Sequence, residues 1–441
     1  LDADERIGKP RIQISSGVTW SRRRWLRDLA VGLVGPIGMV GPGVSSAGAV
    51  AANPKNDRAV GLLLGSLLGD AIGGPLEFAT EEMRRGRVVG ARRWNPSRRL
   101  DADTIAEISK GATLMAYDRV RPDVAPYGPW VANAPAGTLT DDSRWKVILI
   151  RAMRAASEGR TNELTRAHVA EAICEFRPRT DRAPDAGTQR LIDEGLREYR
   201  YAANWVLGKR DPQVALPLDR LWAGIPNCSG QMMLLPLAIK HAGHPEAAYR
   251  ESFELNFIDS AGAKDIASVL VAALASVLGE EAESMTADQR WDKAFTTMKT
   301  LDPLRHKEVP FAGRPLDKWL RLVESILKKA DGRPAVAYQL LETEAKPVYF
   351  WDAHFTMVVA LVLIKLCHDD AMCSLAMAID FGHDTDSYAQ LIGAFCGAIH
   401  GSNVFPEGMR HTLEKQLKDD YGENVNEWSS FLASQNPHTE K

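Results

Sequence analysis

The sequence predicts an all-α fold, a compact bundle of many helices. Apolar residues return at helical spacing in segment after segment. Convincing alternating strands are few, and there is no β-α-β rhythm. Several segments are apolar on most sides, as central helices of a large bundle are.

Taken in order, the first such segment starts near Arg58, where Val60, Leu62, Leu63, Leu64, Leu67, Leu68 and Ile72 alternate only with small residues. Trp145, Ile148, Leu149 and Met153 mark the next, and Leu234, Leu235, Leu237 and Ile239 surround Pro236. Ile266 to Val277, Phe355 to Leu366 and Leu391 to Ile399 complete the series. Between Arg84 and Pro135 the chain is rich in Arg, Pro and Gly and predicts a long loop with one helical piece near Ile105 to Tyr117. The last residues, 431–441, read as a frayed tail.

The chain has 441 residues, 45% hydrophobic and 25% charged, within the range of globular proteins. Its formal net charge of −3 points to no nucleic-acid partner. The five cysteines, Cys174, Cys228, Cys367, Cys373 and Cys396, have no C-x-x-C spacing, so a zinc site is not indicated. The odd count argues against a complete disulfide framework but leaves room for one bridge.

The N-terminal 51 residues form a separate segment. Ser21-Arg22-Arg23-Arg24-Trp25-Leu26-Arg27 is followed by an uncharged stretch rich in Gly and Pro, ending in Ala47-Gly48-Ala49 and Ala49-Val50-Ala51. A basic segment, an apolar segment and a small-residue exit are the parts of a secretory signal. The paired arginines resemble a twin-arginine signal. Export to the periplasm or beyond is therefore expected, with 52–430 as the working domain. Gly and Pro dilute the apolar run, so no membrane anchor is expected in the mature form.

Three segments carry chemistry. Gly65-x-x-x-Gly69-Asp70-x-x-Gly73-Gly74-Pro75-x-Glu77 spaces glycines every four residues on one helix face, allowing close packing, and Pro75 ends the helix. Asp70 reads equally well as a satisfied buried acid. Thr140-Asp141-Asp142-Ser143 precedes an apolar helix. Thr140 suits an N-cap and the acids suit the helix dipole, yet the same oxygens suit a hard cation. Asp384-Thr385-Asp386-Ser387 repeats that pattern at a second helix start. An aspartyl phosphoryl-transfer site of the D-x-D type would need a preceding strand and a small hydroxyl residue where Tyr388 stands.

In this order the segments resemble the signature of the ADP-ribosylglycohydrolase family: G-x-x-x-G-D-x-x-G-x-x-x-E, then T-D-D-T, then G-G-D-T-D-T followed by G-x-x-x-G-A. The likeness spans about Arg58 to Pro406. It implies a compact orthogonal bundle with two magnesium ions, manganese being a substitute. Thr140, Asp141 and Asp142 are implied ligands of one ion, and Asp384 and Ser387 of the other, with Asp386 bridging. Glu77 is implied to lie beside them. The implied reaction is hydrolysis of a ribosyl glycosidic bond in a small or protein-linked ADP-ribosyl conjugate, Glu77 and Asp141 moving protons. A non-catalytic ADP-ribose-binding protein and a binuclear phosphohydrolase are the alternatives.

The chain departs from the pattern at five places. Ser143 and Ser387 replace threonines but keep the hydroxyl. His383 replaces a glycine and is a candidate substrate contact. In the substrate loop, Asn227 to Met233, Gly230 is retained as a candidate contact, whereas Met233 stands where the family has arginine. The family's later histidine has no counterpart around Asp259 to Gly262. The arginines after Glu77 could meet a diphosphate or form a solvated loop. Phe78 is assigned to core packing, and Tyr388 could stack on a base.

Overall fold

The computed structural model describes residues 54–79, 81, 84, 96–117, 134–159, 163–181, 183–184 and 186–438. The expected signal segment and the arginines from 85 to 93 lie outside the described residues. Eight helices position the site: α1 (Pro54–Gly73), α2 (Asp141–Glu158), α3 (Ala186–Val206), α4 (Ser229–Met233), α5 (Gly262–Leu278), α6 (Ala353–Leu366), α7 (Ala371–Phe381) and α8 (Thr385–His400). Among the described residues there is no strand, only an isolated antiparallel bridge between Asn227 and Asp352. The all-α expectation therefore holds.

The axis of the molecule is the crossing of α1 and α8, and glycine makes it possible. A Cβ at Gly65 would lie 2.1 Å from the Gly393 carbonyl oxygen, and one at Gly69 would lie 2.0 Å from that of Ala389. Gly61 meets Gly397 in the same way, and Gly73 meets the backbone of Asp386. The four-residue glycine spacing thus removes side chains along one stripe, and two backbones touch. This contact puts the end of α1 against the start of α8, where the acidic motif sits.

Burial explains the uniformly apolar segments. Every residue of α8 from Thr385 to Ile399 is buried, as are those of α5 from Ile266 to Leu278. Residues 57–76 are long and apolar enough to cross a membrane, but 94% of that window is buried inside the body. A core helix passes the same length test as a membrane span, so this stretch is read as core.

Some boundaries differ from expectation. The helix in the Arg-rich region spans Ala102–Ile108, earlier than predicted, because the Asp101 side chain caps it by accepting from the Thr104 amide at 2.8 Å. Pro236 splits the expected helix around it into α4 and Leu237–Lys240. The tail does not fray at 431: a helix runs Val425–Ser434 with Trp428 and Leu432 fully buried. Those two apolar residues at helical spacing dock it.

Candidate metal centre and cavity

Asp70 on α1 organises the site from below. It is fully buried, and its carboxylate accepts from the Thr140 hydroxyl at 2.6 Å, the Thr140 amide at 3.1 Å and the Ser143 amide at 3.2 Å. It therefore holds the first turn of α2. The Thr140 Oγ1 accepts in turn from the Asp142 amide at 3.2 Å, the N-cap bond expected of it. Asp70 is a satisfied buried acid, and its role is to fix the next motif.

Glu77 arrives by a different route. α1 ends at Gly73, a short 3-10 turn carries Pro75, and Phe78 adopts φ 50°. The Phe78 amide donates to the His383 carbonyl at 2.7 Å, and the Thr385 hydroxyl donates to the Gly73 carbonyl at 2.8 Å. The first and third sequence motifs are thus stitched together by backbone.

The acids converge in two groups, Glu77–Asp384–Asp386 and Asp141–Asp142–Asp386, with ligand atoms in each group within 4.8 Å of one another. Asp386 belongs to both. The Ser387 hydroxyl donates to Asp142 at 3.3 Å, linking the two motifs. Burial raises every one of the four aspartates. Asp386 is pushed up to about 7 by desolvation and then by Asp70 and Asp141. Asp141, the least buried, is pushed up to about 6 by desolvation, with Arg144 pulling it back. Asp142 and Asp384 are raised well above the usual range, by desolvation and then by Asp386 in each case.

Two buried cations sit in this field, Arg144 and Lys146. Lys146 Nζ donates to the Asp142 carbonyl at 2.9 Å and to Gln390 at 2.8 Å. Desolvation draws its ammonium down to about 8 against the pull of the aspartates. The residues present fit hard cations. Asp142 Oδ1 and Asp384 Oδ2 are buried with no hydrogen-bond partner. The donors are carboxylate and hydroxyl oxygens, the set that Mg²⁺-type ions take. Counted with Asp70 and Glu77, the site gathers six carboxylates against the two cations Arg144 and Lys146, so two divalent ions would bring the set to neutrality.

Above the acids opens a cavity of about 360 Å³. Its floor is acidic and its walls are aromatic: Phe78, Tyr199, Trp222 and Trp351. Phe78 and Trp351 meet edge to face at 5.9 Å, as do Tyr199 and Trp222 at 5.7 Å. Trp222 and Ala223 both adopt left-handed backbone, with φ 50° and 55°, where the loop turns beside α3. Strain of that kind in non-glycine residues is common at functional sites.

Of the residues named from sequence, Glu77, Asp141, Asp142, Asp384, Asp386 and Ser387 all line this cavity, and Thr140 braces its edge through Asp70. Others are placed differently. The His383 ring stacks on Phe350 at 3.6 Å and meets Glu342 at 3.0 Å, outside the lining. Gly230 does not line the cavity either. Its amide donates to the buried carboxylate of Asp259 at 3.1 Å, and a Cβ there would lie 2.3 Å from that carboxylate, so glycine is needed for close approach. Its neighbours Asn227, Cys228, Ser229 and Met232 form the wall instead. Met233 is fully buried in the core. Phe78 and Tyr388 exchange their expected roles: Phe78 lines the cavity, while Tyr388 is buried and donates to the Phe350 carbonyl at 2.6 Å.

Tyr199, Trp222, Trp351 and Lys146 went unmarked in the sequence. Tyr199 and Lys146 sit inside ordinary amphipathic or apolar helices. A Trp-Ala-Gly run before the substrate loop is the one local sign of Trp222.

Among the described residues, fold and site together define a helical body with two acidic groups that share one carboxylate beneath an aromatic-walled cavity. Residues 51–438 match the family described as ADP-ribosylglycohydrolase. The chain belongs to that family. A solved structure titled "ADP-ribosylglycohydrolase-related protein complex" shares the fold at a TM-score of 0.51 and 16% identity, covering 87% of this chain and 99% of its own. No curated protein sequence matches.

Proposed function

We propose that the chain is a metal-dependent glycohydrolase cleaving a ribosyl glycosidic bond of an ADP-ribosyl or related nucleotide conjugate, with magnesium as the working ion. The observation that carries this reading is Asp386, the carboxylate common to two acidic groups at the floor of one cavity. Thr140, Asp141 and Asp142 would hold one ion, Asp384 and Ser387 the other, and Asp386 both, with Glu77 beside them. Bound ions of this type supply Lewis acidity toward a ribose hydroxyl and toward water.

The remaining work falls to side chains. Glu77 and Asp141 line the cavity as carboxylates able to accept a proton from attacking water or return one to the leaving group. The aromatic walls offer stacking faces to a planar group and exclude water from the acidic floor. Asp70 and Lys146 hold the ligand-bearing turn from behind through the hydrogen bonds described above. Residues 1–51 are proposed to direct export by the twin-arginine route.

The test is product analysis with ADP-ribosyl-arginine, ADP-ribosyl-serine and O-acetyl-ADP-ribose in magnesium. Release of ADP-ribose from at least one of them is expected. Phosphate release without a sugar product would overturn the glycosidic reading, and tight binding without turnover of any would favour a binding protein. Met233, being buried, gives no ground for excluding the arginine conjugate.

A further inference from the structure

We infer that Cys367 and Cys373 form an intrachain disulfide when the protein meets an oxidising environment. Their sulfurs lie 2.9 Å apart, well inside the separation of two non-bonded sulfurs. Both side chains are fully buried. The other three cysteines are placed elsewhere: Cys228 lies against Ser387 in the cavity wall, Cys174 near Asn204, and Cys396 within α8.

The turn that joins α6 to α7 fixes this approach in advance. His368 and Asp369 both take left-handed backbone, with φ 52° and 65°. The Asp369 amide donates to the Ile364 carbonyl at 3.0 Å, and the Asp370 amide to the Cys367 carbonyl at 3.1 Å. Asp370 then caps α7 by accepting from the Cys373 amide at 2.7 Å. Lys365 and Asp369 close the same turn with an ion pair at 3.0 Å. The two cysteines are therefore held by hydrogen bonds independent of their own sulfur contact, and bridging them adds little ordering cost.

The chemistry needs a disulfide oxidant, such as oxidised glutathione or a thiol–disulfide oxidoreductase. One cysteine thiolate attacks the oxidant's sulfur and expels one thiol. The second cysteine then displaces the other, so that two protons and two electrons leave the protein and two thiols are released. Because both sulfurs are buried, the exchange takes place as the turn folds or opens. The bridge would anchor the start of α7, the helix whose far end delivers Gly382 to Ser387 to the centre. The inference does not rest on the proposed reaction, nor does its test require export.

The full chain is reduced, denatured, refolded in an oxidised/reduced glutathione buffer, denatured in acid and alkylated. Cleavage before aspartate separates the two cysteines into residues 352–368 and 370–379. The expected product is these two peptides joined, two hydrogens lighter than their sum, with Cys174, Cys228 and Cys396 alkylated. Cys396→Ser should keep the joined peptide, and Cys367→Ser should abolish it. Alkylation of all five cysteines after oxidative refolding would overturn the inference, as would joining of either peptide to a different cysteine.

Discussion

Asp386→Asn should have opposite consequences with and without metal. Asp386 is 1% exposed, and its carboxyl is pushed up to about 7 by burial and then by Asp70 and Asp141. The folded value lies above the unfolded value of about 3.9. Between those values the folded protein binds more protons than the unfolded one, so stability falls as pH rises through that window and the loss is complete above about 7. Integrating that shift gives a penalty of roughly 2 kcal/mol at pH 5 and about 4 kcal/mol at pH 8 for the metal-free wild type. Asparagine keeps the shape and removes the charge. A body of this size, Ala51–Lys441, has an unfolding entropy of roughly 0.8 kcal/mol/K. The metal-free variant should therefore melt about 5 °C above wild type at pH 8 and about 2 °C above it at pH 5.

Magnesium should reverse the advantage. With both ions at a hundred times their Kd, the wild type gains about 5.4 kcal/mol, about 7 °C for this body, and the variant should gain almost nothing because both acidic groups have lost their common member. Thermal melts in chelator and in magnesium, at both pH values, with calorimetric titration of the metal, measure all of this. A metal-free variant melting at or below wild type at pH 8 would refute the electrostatic argument. Unchanged two-site magnesium binding would refute the shared-ligand assignment.

Three further outcomes are expected, two from the same geometry and one from the N-terminal sequence. Glu77→Gln should lower turnover about a hundredfold or more, the usual range for losing an acid–base group, with the melting temperature within a few degrees of wild type; a loss below tenfold assigns proton transfer elsewhere. Gly65→Ala places a methyl 2.1 Å from a backbone oxygen that cannot swing aside, so it should destabilise by about 1–3 kcal/mol and weaken magnesium binding by parting α1 from α8; an unchanged melting temperature contradicts that crossing. Changing Arg22 and Arg23 together to Lys should leave the precursor inside the cell, and a mature wild-type protein whose mass shows it beginning before Ser21 rules out cleavage near Ala49 or Ala51.

The sequence carried the helices and the acids because both are written locally. Period-3.6 apolar runs mark α5, α6 and α8, and two short acidic motifs mark the helix starts. The glycine spacing in α1 was equally legible, since a four-residue repeat has meaning only on a helix face. The cavity walls were not. Tyr199, Trp222 and Trp351 come from three distant parts of the chain, and each alone resembles a core aromatic. His383 is the opposite case: it adjoins Asp384 in sequence, but with left-handed backbone at φ 64° its ring stacks on Phe350, outside the cavity lining. Adjacency along the chain decides little where Gly382 and His383 both take left-handed backbone, with φ 89° and 64°.

The ordinary and the chemical readings of the acidic motifs are the same physics. Thr140 caps α2, and the acids of its first turn sit where unpaired amides and the helix dipole favour negative charge. That stabilisation lets Asp141 and Asp142 remain at a site that burial otherwise penalises. At the start of α8, Asp386 holds the place of Asp142 and Asp384 the N-cap place of Thr140. One such helix start is a common structural device. Two of them, brought together by a crossing that only glycine permits, concentrate more carboxylate than Arg144 and Lys146 can neutralise. Gly61, Gly65, Gly69 and Gly73 are therefore determinants of the centre although none of them offers it a ligand. A substitution along that stripe should change metal affinity before it changes the acids themselves.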